Sequence, residues 1–348
     1  MIRHSRPAAG FFETEKISAI FHSGNHATGK WTGRFEKKLS SRIGLRGAVA
    51  ANSGTSALHI ALLSLGIKEN DEVIVPSFVC TALLNAVNAA GAEPVPADIE
   101  EESFNISYKS ALSKITKKTK AVIVPHMFGL TREVKPFLKS GLYVIEDCAQ
   151  ALGGKNGNCP AGGEGHVSVF SFYATKLIST GHGGMLASDS KKILARARDL
   201  LNFDERKNYK LRFNYQMSDF QAAFGISQLG RLGEFIRKRL KIASYYDRKL
   251  AGFPVKLPPE KGNIFYRYVI RADRGADSLI PFLKKRGIEA KKPVFKPLHR
   301  YMGLDKKNFP VTEKLYREAL SLPIYPDLKE SEMKRTMDVL TNLLSRRK

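Results

Sequence analysis

His166-Val167-Ser168-Val169-Phe170-Ser171-Phe172-Tyr173-Ala174-Thr175-Lys176-Leu177-Ile178-Ser179-Thr180-Gly181-His182-Gly183-Gly184 is the stretch from which the rest of the chain is read. Val167 to Phe172 is an apolar run of strand length, and Lys176 follows it just ahead of a Gly-rich loop. A lysine at the mouth of a buried strand is poorly hydrated, which favours the neutral amine that can attack a carbonyl carbon. Upstream, Val144-Ile145-Glu146-Asp147-Cys148-Ala149-Gln150-Ala151 is a second apolar run that ends in a carboxylate. An acid at the C-terminal edge of such a strand can keep a pyridine nitrogen protonated. A lone lysine after a strand is ordinarily a solvated loop residue. Paired with Asp147, it reads as half of a reactive site.

The other half precedes them. In Ala50-Ala51-Asn52-Ser53-Gly54-Thr55-Ser56-Ala57-Leu58-His59-Ile60-Ala61-Leu62-Leu63-Ser64-Leu65-Gly66, small polar residues run straight into a helical pattern, so free N–H groups and hydroxyls gather at a helix N-terminus where an anion fits. Gly54 relieves the backbone, and Thr55 and Ser56 are the expected phosphate contacts, with Ser171 adding a hydroxyl from the later strand. The same residues also make an ordinary helix cap. Lysine, acid and anion cradle together point to pyridoxal 5′-phosphate.

Strand patterns near residues 72–75, 121–124, 142–146 and 167–172 alternate with helical ones near 54–66, 79–90, 107–116, 131–139 and 190–202. This predicts an α/β fold, a mostly parallel sheet flanked by helices, with ligands at the strand C-termini where Phe78, His126, Asp147 and Lys176 fall. A long helix is expected from Met217 toward Leu250, then a boundary at Pro254, Pro258 and Pro259. A smaller C-terminal α+β domain follows, with a strand from Ile264 to Ile270, a helix to Arg286 and a last amphipathic helix from Lys329. The expected division is residues 1–240 for the large domain and 241–348 for the small one.

The 348 residues, 43% of them hydrophobic, suffice for a full core. No stretch approaches a membrane span, the basic start Met1 to Pro7 lacks the apolar run of a signal peptide, and a cytoplasmic enzyme is expected. Cys80, Cys148 and Cys159 have neither disulfide-framework nor metal-site spacing. Cys148 reads as a small apolar filler.

Taken in order, the motifs resemble those of the DegT/StrS-type sugar aminotransferases, enzymes of the aspartate aminotransferase-like fold type I that use pyridoxal phosphate. The resemblance runs along nearly the whole chain. It covers Thr32-Gly33-Arg34-Phe35-Glu36-Lys37-Lys38-Leu39, the Ser53 helix, Glu72-Val73-Ile74-Val75-Pro76-Ser77-Phe78 and Val124-Pro125-His126-Met127-Phe128-Gly129. It continues through the Asp147 and Lys176 segments, Phe213-Asn214-Tyr215-Gln216-Met217-Ser218-Asp219-Phe220-Gln221-Ala222-Ala223 and Leu320-Ser321-Leu322-Pro323-Ile324-Tyr325-Pro326. It implies that Lys176 forms the covalent link to the cofactor, that Asp147 pairs with the ring nitrogen, and that Phe78 stacks on the ring with Gln150 beside it. It further implies that Thr55, Ser56 and Ser171 hold the phosphate and that Asn214 reaches it from the other subunit of a homodimer. Core packing is the plain alternative for Phe78, and an exposed turn for Asn214. The implied reaction moves nitrogen from glutamate to a nucleotide diphosphate keto sugar. Related enzymes with histidine in place of the lysine catalyse other reactions; this chain keeps the lysine.

Three places depart from the family's pattern: Gln216, His182, and Leu201-Asn202-Phe203-Asp204-Glu205-Arg206. His182 is expected near the substrate, although a plain loop residue is the alternative. The formal charge is +24. The densest basic runs, Arg237 to Lys241 and Arg196 to Lys210, read as solvated helix faces without a nucleic-acid module. A positive surface would draw in a diphosphate, and Lys296, His299 and Arg300 in Lys291-Lys292-Pro293-Val294-Phe295-Lys296-Pro297-Leu298-His299-Arg300 are the candidates to hold it, against a plain solvated loop. Two other readings stay open: an aminotransferase of a cyclitol or free keto sugar, and a non-catalytic regulatory protein on the same fold.

Overall fold

The computed structural model describes residues 1–24 and 26–345. Seven strands form the main sheet: β1 (Gly47–Ala51), β2 (Glu72–Pro76), β3 (Glu93–Ala97), β4 (Thr119–Pro125), β5 (Tyr143–Asp147), β8 (Val167–Ser171) and β9 (Gly184–Ser188). A short hairpin of β6 (Lys155–Asn156) and β7 (Cys159–Pro160) lies between β5 and β8. The strand order is β1-β9-β8-β5-β4-β2-β3, and β9 alone runs against the others.

The strands read as continuous apolar runs because both faces of the sheet are covered. Val73, Val75, Ala121, Ile123 and Ile145 pack into one core. Ile74, Val122, Val124 and Val144, their neighbours in sequence, pack into another with Ile106 and Phe137, as alternation along a strand requires. Helices α1 (Phe11–Ser23), α2 (Lys30–Ile43), α3 (Gly54–Leu65), α4 (Ala82–Ala89), α5 (Tyr108–Leu112), α6 (Lys135–Leu138) and α7 (Lys191–Leu201) surround the sheet. α5 and α6 are shorter than their sequence patterns, and the chain after Leu201 is irregular rather than helical, leaving Tyr209 97% exposed. The basic run Arg196 to Lys210 is thus a helix face only over its first turns.

α8 (Asp219–Leu250) opens with a capping box in which the Ser218 hydroxyl and the Gln221 side chain satisfy each other's backbone N–H groups. Its 32 residues run unbroken past residue 240. Leu229, Leu232 and Phe235 belong to a core of the large domain, whereas Ile242, Tyr246 and Leu250 belong to that of the small one, which also takes in Ile2. Arg239, midway, is a correction to the solvated-face reading. It is 2% exposed, and one guanidinium nitrogen donates to the carbonyls of Phe265, Tyr266 and Ile324.

The small domain has a three-stranded antiparallel sheet, β10 (Val255–Lys256), β11 (Tyr268–Ala272) and β12 (Ala319–Leu322), with α9 (Ala276–Lys285), α10 (Leu298–Tyr301), α11 (Pro310–Glu318) and α12 (Glu330–Ser345). The strand expected from Ile264 starts four residues later. Ile264 donates its N–H to Gly129 and Arg267 to Phe128, so this apolar stretch lies across the end of β4 before it joins its own sheet. Among the described residues no helix is long and apolar enough to cross a membrane.

Candidate active site

The C-terminal ends of β5 and β8, the loop after β2 and the start of α3 enclose a cleft of about 360 Å³. Lys176, Asp147, Gln150, Ser171, Thr55 and His182, drawn from across the sequence, all stand on its wall. A second cavity of similar size opens at the opposite end of the strands, among Tyr143, His166, Lys192 and Arg196, and holds none of the expected site residues. Position at the strand C-termini singles out the first cleft as the ligand site.

The start of α3 is shaped for an anion. Ser53, in extended backbone, accepts from the Ser56 N–H, and Gly54 and Thr55, whose N–H groups have no partner within the helix, line the cleft. The hydroxyl of Ser56 turns back to Asn52 at 2.8 Å and Ser56 is not on the cleft wall; Ser53 takes its place beside Thr55. Of the expected Thr55–Ser56 pair, Thr55 alone faces the cleft. Backbone crowding explains the glycines. A Cβ on Gly54 would lie 2.7 Å from the Cβ of Ser171, and one on Gly184 would lie 2.2 Å from the Ser53 carbonyl oxygen. β8 and β9 therefore press against the turn, and Ser171 is held beside it.

Asp147 ends β5. Burial pushes its carboxyl above the usual carboxylate range, while the Ala149 N–H, Lys176 and His126 pull it down; Ala149 donates at 3.0 Å. Glu146 points the other way and is fully engaged. Its oxygens accept from His126 Nε2 at 2.9 Å and from the N–H groups of Gly162, Glu164 and Gly165 at 2.9, 2.8 and 2.5 Å. Burial works against its charge, but these donors hold the carboxyl below the usual range. The Arg132 N–H donates to His126 Nδ1, so the ring carries its proton on Nε2 and donates to Glu146. His126 accordingly braces β4 against β5 and is not a cleft residue. Cys148, buried beside Glu146, completes the only cluster of potential metal donors among the described residues. His126 and Glu146 are already saturated by these bonds.

Gln150 keeps its oxygen on the Phe128 N–H at 2.9 Å and lines the cleft. His182 lies edge-on to Tyr173, at 5.2 Å between ring centroids. Phe78 departs from expectation: it is fully buried, its ring tilted against Phe104, and Val79 and Cys80 form that part of the wall. Core packing claims the aromatic. Asn214 is exposed, its carbonyl accepting from Asn52 Nδ2, and it does not line this chain's cleft.

The basic segment also departs from expectation. His299 is fully buried between Ser77 Oγ at 2.6 Å and Glu313 at 2.9 Å, its ring stacked on Phe309. Arg300 makes a two-pronged pair with Glu313 at 2.6 and 2.5 Å, and Lys296 sits over the Tyr301 ring. None of the three lines the cleft. His299 ties the small domain to the loop after β2, a link between residues more than 200 positions apart that no local pattern announces, while Arg300 and Lys296 keep to partners in the small domain.

The residues present fit pyridoxal phosphate: an amine, a carboxylate that burial leaves short of partners, and a helix N-terminus with Ser53, Thr55 and Ser171 hydroxyls surround one cleft. The model of the DegT/DnrJ/EryC1/StrS aminotransferase family matches residues 8–341. GDP-perosamine synthase of Vibrio cholerae is 34% identical over 334 residues, covering 90% of this chain and 91% of that protein. The GDP-perosamine synthase of Caulobacter vibrioides is likewise 34% identical, with 91% of each covered. The structure of S. venezuelae DesV in complex with a ketimine intermediate superposes with a TM-score of 0.91 at 30% identity, covering 97% of this chain and 95% of that one.

Proposed function

The chain belongs to the DegT/DnrJ/EryC1/StrS aminotransferase family and uses pyridoxal phosphate, and on that premise we propose that it carries nitrogen from glutamate to the keto carbon of a nucleotide diphosphate sugar, for amino-sugar and cell-surface polysaccharide or glycoside biosynthesis. The observation that carries the reading is the meeting of Lys176 and Asp147 on one cleft with the N-terminus of α3. The GDP-perosamine synthases among its relatives support the substrate class.

When bound, the cofactor supplies an electrophilic carbon and an electron sink. Lys176 Nζ would hold it covalently and, once released, would serve as the base that takes the proton from the donor's α-carbon in one half-reaction and as the acid that supplies a proton to the acceptor carbon in the other. Asp147 keeps the ring nitrogen protonated. The first-turn N–H groups of α3, with Ser53, Thr55 and Ser171, hold the phosphate, Gln150 lies beside the ring, and Val79 and Cys80 close the face assigned from sequence to Phe78. Asn214 serves the other subunit's phosphate in a homodimer, a role that suits its position off its own cleft. The net charge of +24 draws in an anionic substrate.

Borohydride reduction of the cofactor-loaded protein, followed by peptide mapping, places the label on Lys176; label on another lysine overturns the assignment. Mixed dimers of Lys176→Ala and Asn214→Ala chains regain part of the activity if sites are shared, and proven exchange without recovery refutes sharing. In a panel of keto substrates with glutamate, turnover is expected on nucleotide diphosphate sugars and falls with rising salt. Full activity on a cyclitol or free keto sugar, without inhibition by nucleoside diphosphates, overturns the substrate class.

A further inference from the structure

Tyr266 comes from the C-terminal part of the sequence, yet the structure sets it against the lysine of the large domain. The stretch Ile264 to Arg267 lies across the end of β4 through the Ile264–Gly129 and Arg267–Phe128 backbone bonds. The approach is close enough that a Cβ on Gly129 would stand 2.7 Å from the Tyr266 nitrogen. From below, the buried Arg239 guanidinium holds the Tyr266 carbonyl at 3.0 Å. The ring is 5% exposed. Lys176 Nζ lies 5.4 Å from its centroid and the Arg267 guanidinium 5.2 Å. Thr175, next to Lys176 in sequence, shares a small void with the phenol, His4 and Arg267.

We propose that Tyr266 is a positioning residue for Lys176: its ring seats the amine, and its phenol is electrostatically coupled to the charge on that amine. The inference rests on Lys176 being the cofactor lysine. The charged and titratable groups around the phenol are Lys176 on the loop after β8, Arg267 next to it on the segment before β11, Arg239 on α8 and His4 from the N-terminal segment. His4 is neutral, since burial and Arg267 take its pKa down to about 3. Burial alone would push the phenol up, but Lys176, then Arg267, the Thr175 hydroxyl and Arg239 outweigh it and bring it from 10 to about 8. The positive charge on Lys176 is the leading influence that favours the phenolate, so the phenol reports on that charge.

The test reads the phenol directly in the full-length, cofactor-free chain. The ultraviolet difference between wild type and Tyr266→Phe is expected to show one tyrosine ionising near pH 8. Lys176→Met raises that midpoint by about one unit, by removing the leading cation, and Thr175→Val raises it less. In the loaded enzyme, the pH profile of kcat has an inflection near pH 8 that Tyr266→Phe abolishes while the fold is kept. A midpoint unmoved in Lys176→Met, or no tyrosine ionising below the ordinary range, overturns the proposal. If Tyr266→Phe does not fold, the shifts in Lys176→Met and Thr175→Val decide the matter. Borohydride labelling separates this inference from the reading beneath it. Label on Lys176 with an unmoved midpoint refutes the coupling alone, whereas label elsewhere refutes the site.

Discussion

Glu146 and Asp147 stand side by side on β5, and the alternation of a strand sends their carboxylates to opposite faces. Glu146 meets His126 and three backbone N–H groups. Asp147 opens on the cleft, where the Ala149 N–H meets one of its oxygens. Burial opposes the charge of both, and the outcome differs in sign: donors hold Glu146 below the ordinary range, and Asp147 is left above it. A buried charge with a complete set of donors is part of the scaffold. One left short of donors costs stability and is free to meet a cationic ligand.

Exchanging each acid for its amide breaks the comparison. Asp147→Asn is expected to lower kcat by about 100-fold or more, because a neutral amide does not hold the ring proton, while the protein still binds cofactor. Steady-state kinetics with saturating cofactor check this, and near-normal turnover removes the role. Glu146→Gln is expected to act on the fold instead. It leaves His126 and the Gly162–Gly165 turn without their charged acceptor and costs about 3 kcal/mol of stability, read from denaturant unfolding.

The pH dependence sharpens the contrast and carries the smallest effect. With its folded pKa below the unfolded value, Glu146 contributes stability present above the unfolded pKa of about 4.5 and lost as pH falls through the folded one. Asp147 has the opposite sign: its raised pKa destabilises the cofactor-free protein above about pH 4, and acid relieves the penalty. Cofactor-free Asp147→Asn is therefore expected to melt at or slightly above wild type at neutral pH, with the advantage vanishing in acid. In Glu146→Gln the deficit is largest at neutral pH and shrinks in acid. Melting curves at several pH values test both.

What sequence could reveal follows from the same distinction. That Lys176, Asp147, Thr55 and Ser171 share one cleft was legible because each lies within a few residues of a strand or helix end that the apolar pattern marks, and strand ends are where open-sheet ligands bind. Phe78 and Ser56 were misplaced because a loop's direction changes over one or two residues, and pattern carries no information at that scale. The roles of His299, Arg300 and Arg239 were illegible for a different reason. A basic residue looks the same whether it faces water or a distant partner, and their partners Ser77, Glu313 and the carbonyls of Phe265, Tyr266 and Ile324 come from other elements. The apolar run from Ile264 was read as strand throughout, since hydrophobicity does not say which sheet claims it.

β1 has a single neighbour in the sheet, β9, which places Ala51 opposite Gly184, about 130 residues later. The turn that follows β1, and with it the anion site, therefore lacks its floor until β9 has been synthesised. While a ribosome is still extending the chain, β1 is an unpaired apolar strand waiting for its partner, and it is exposed to pairing with another nascent chain. Truncated products ending before Gly184 are expected to carry Ser53, Thr55 and Ser171 and still have no phosphate site.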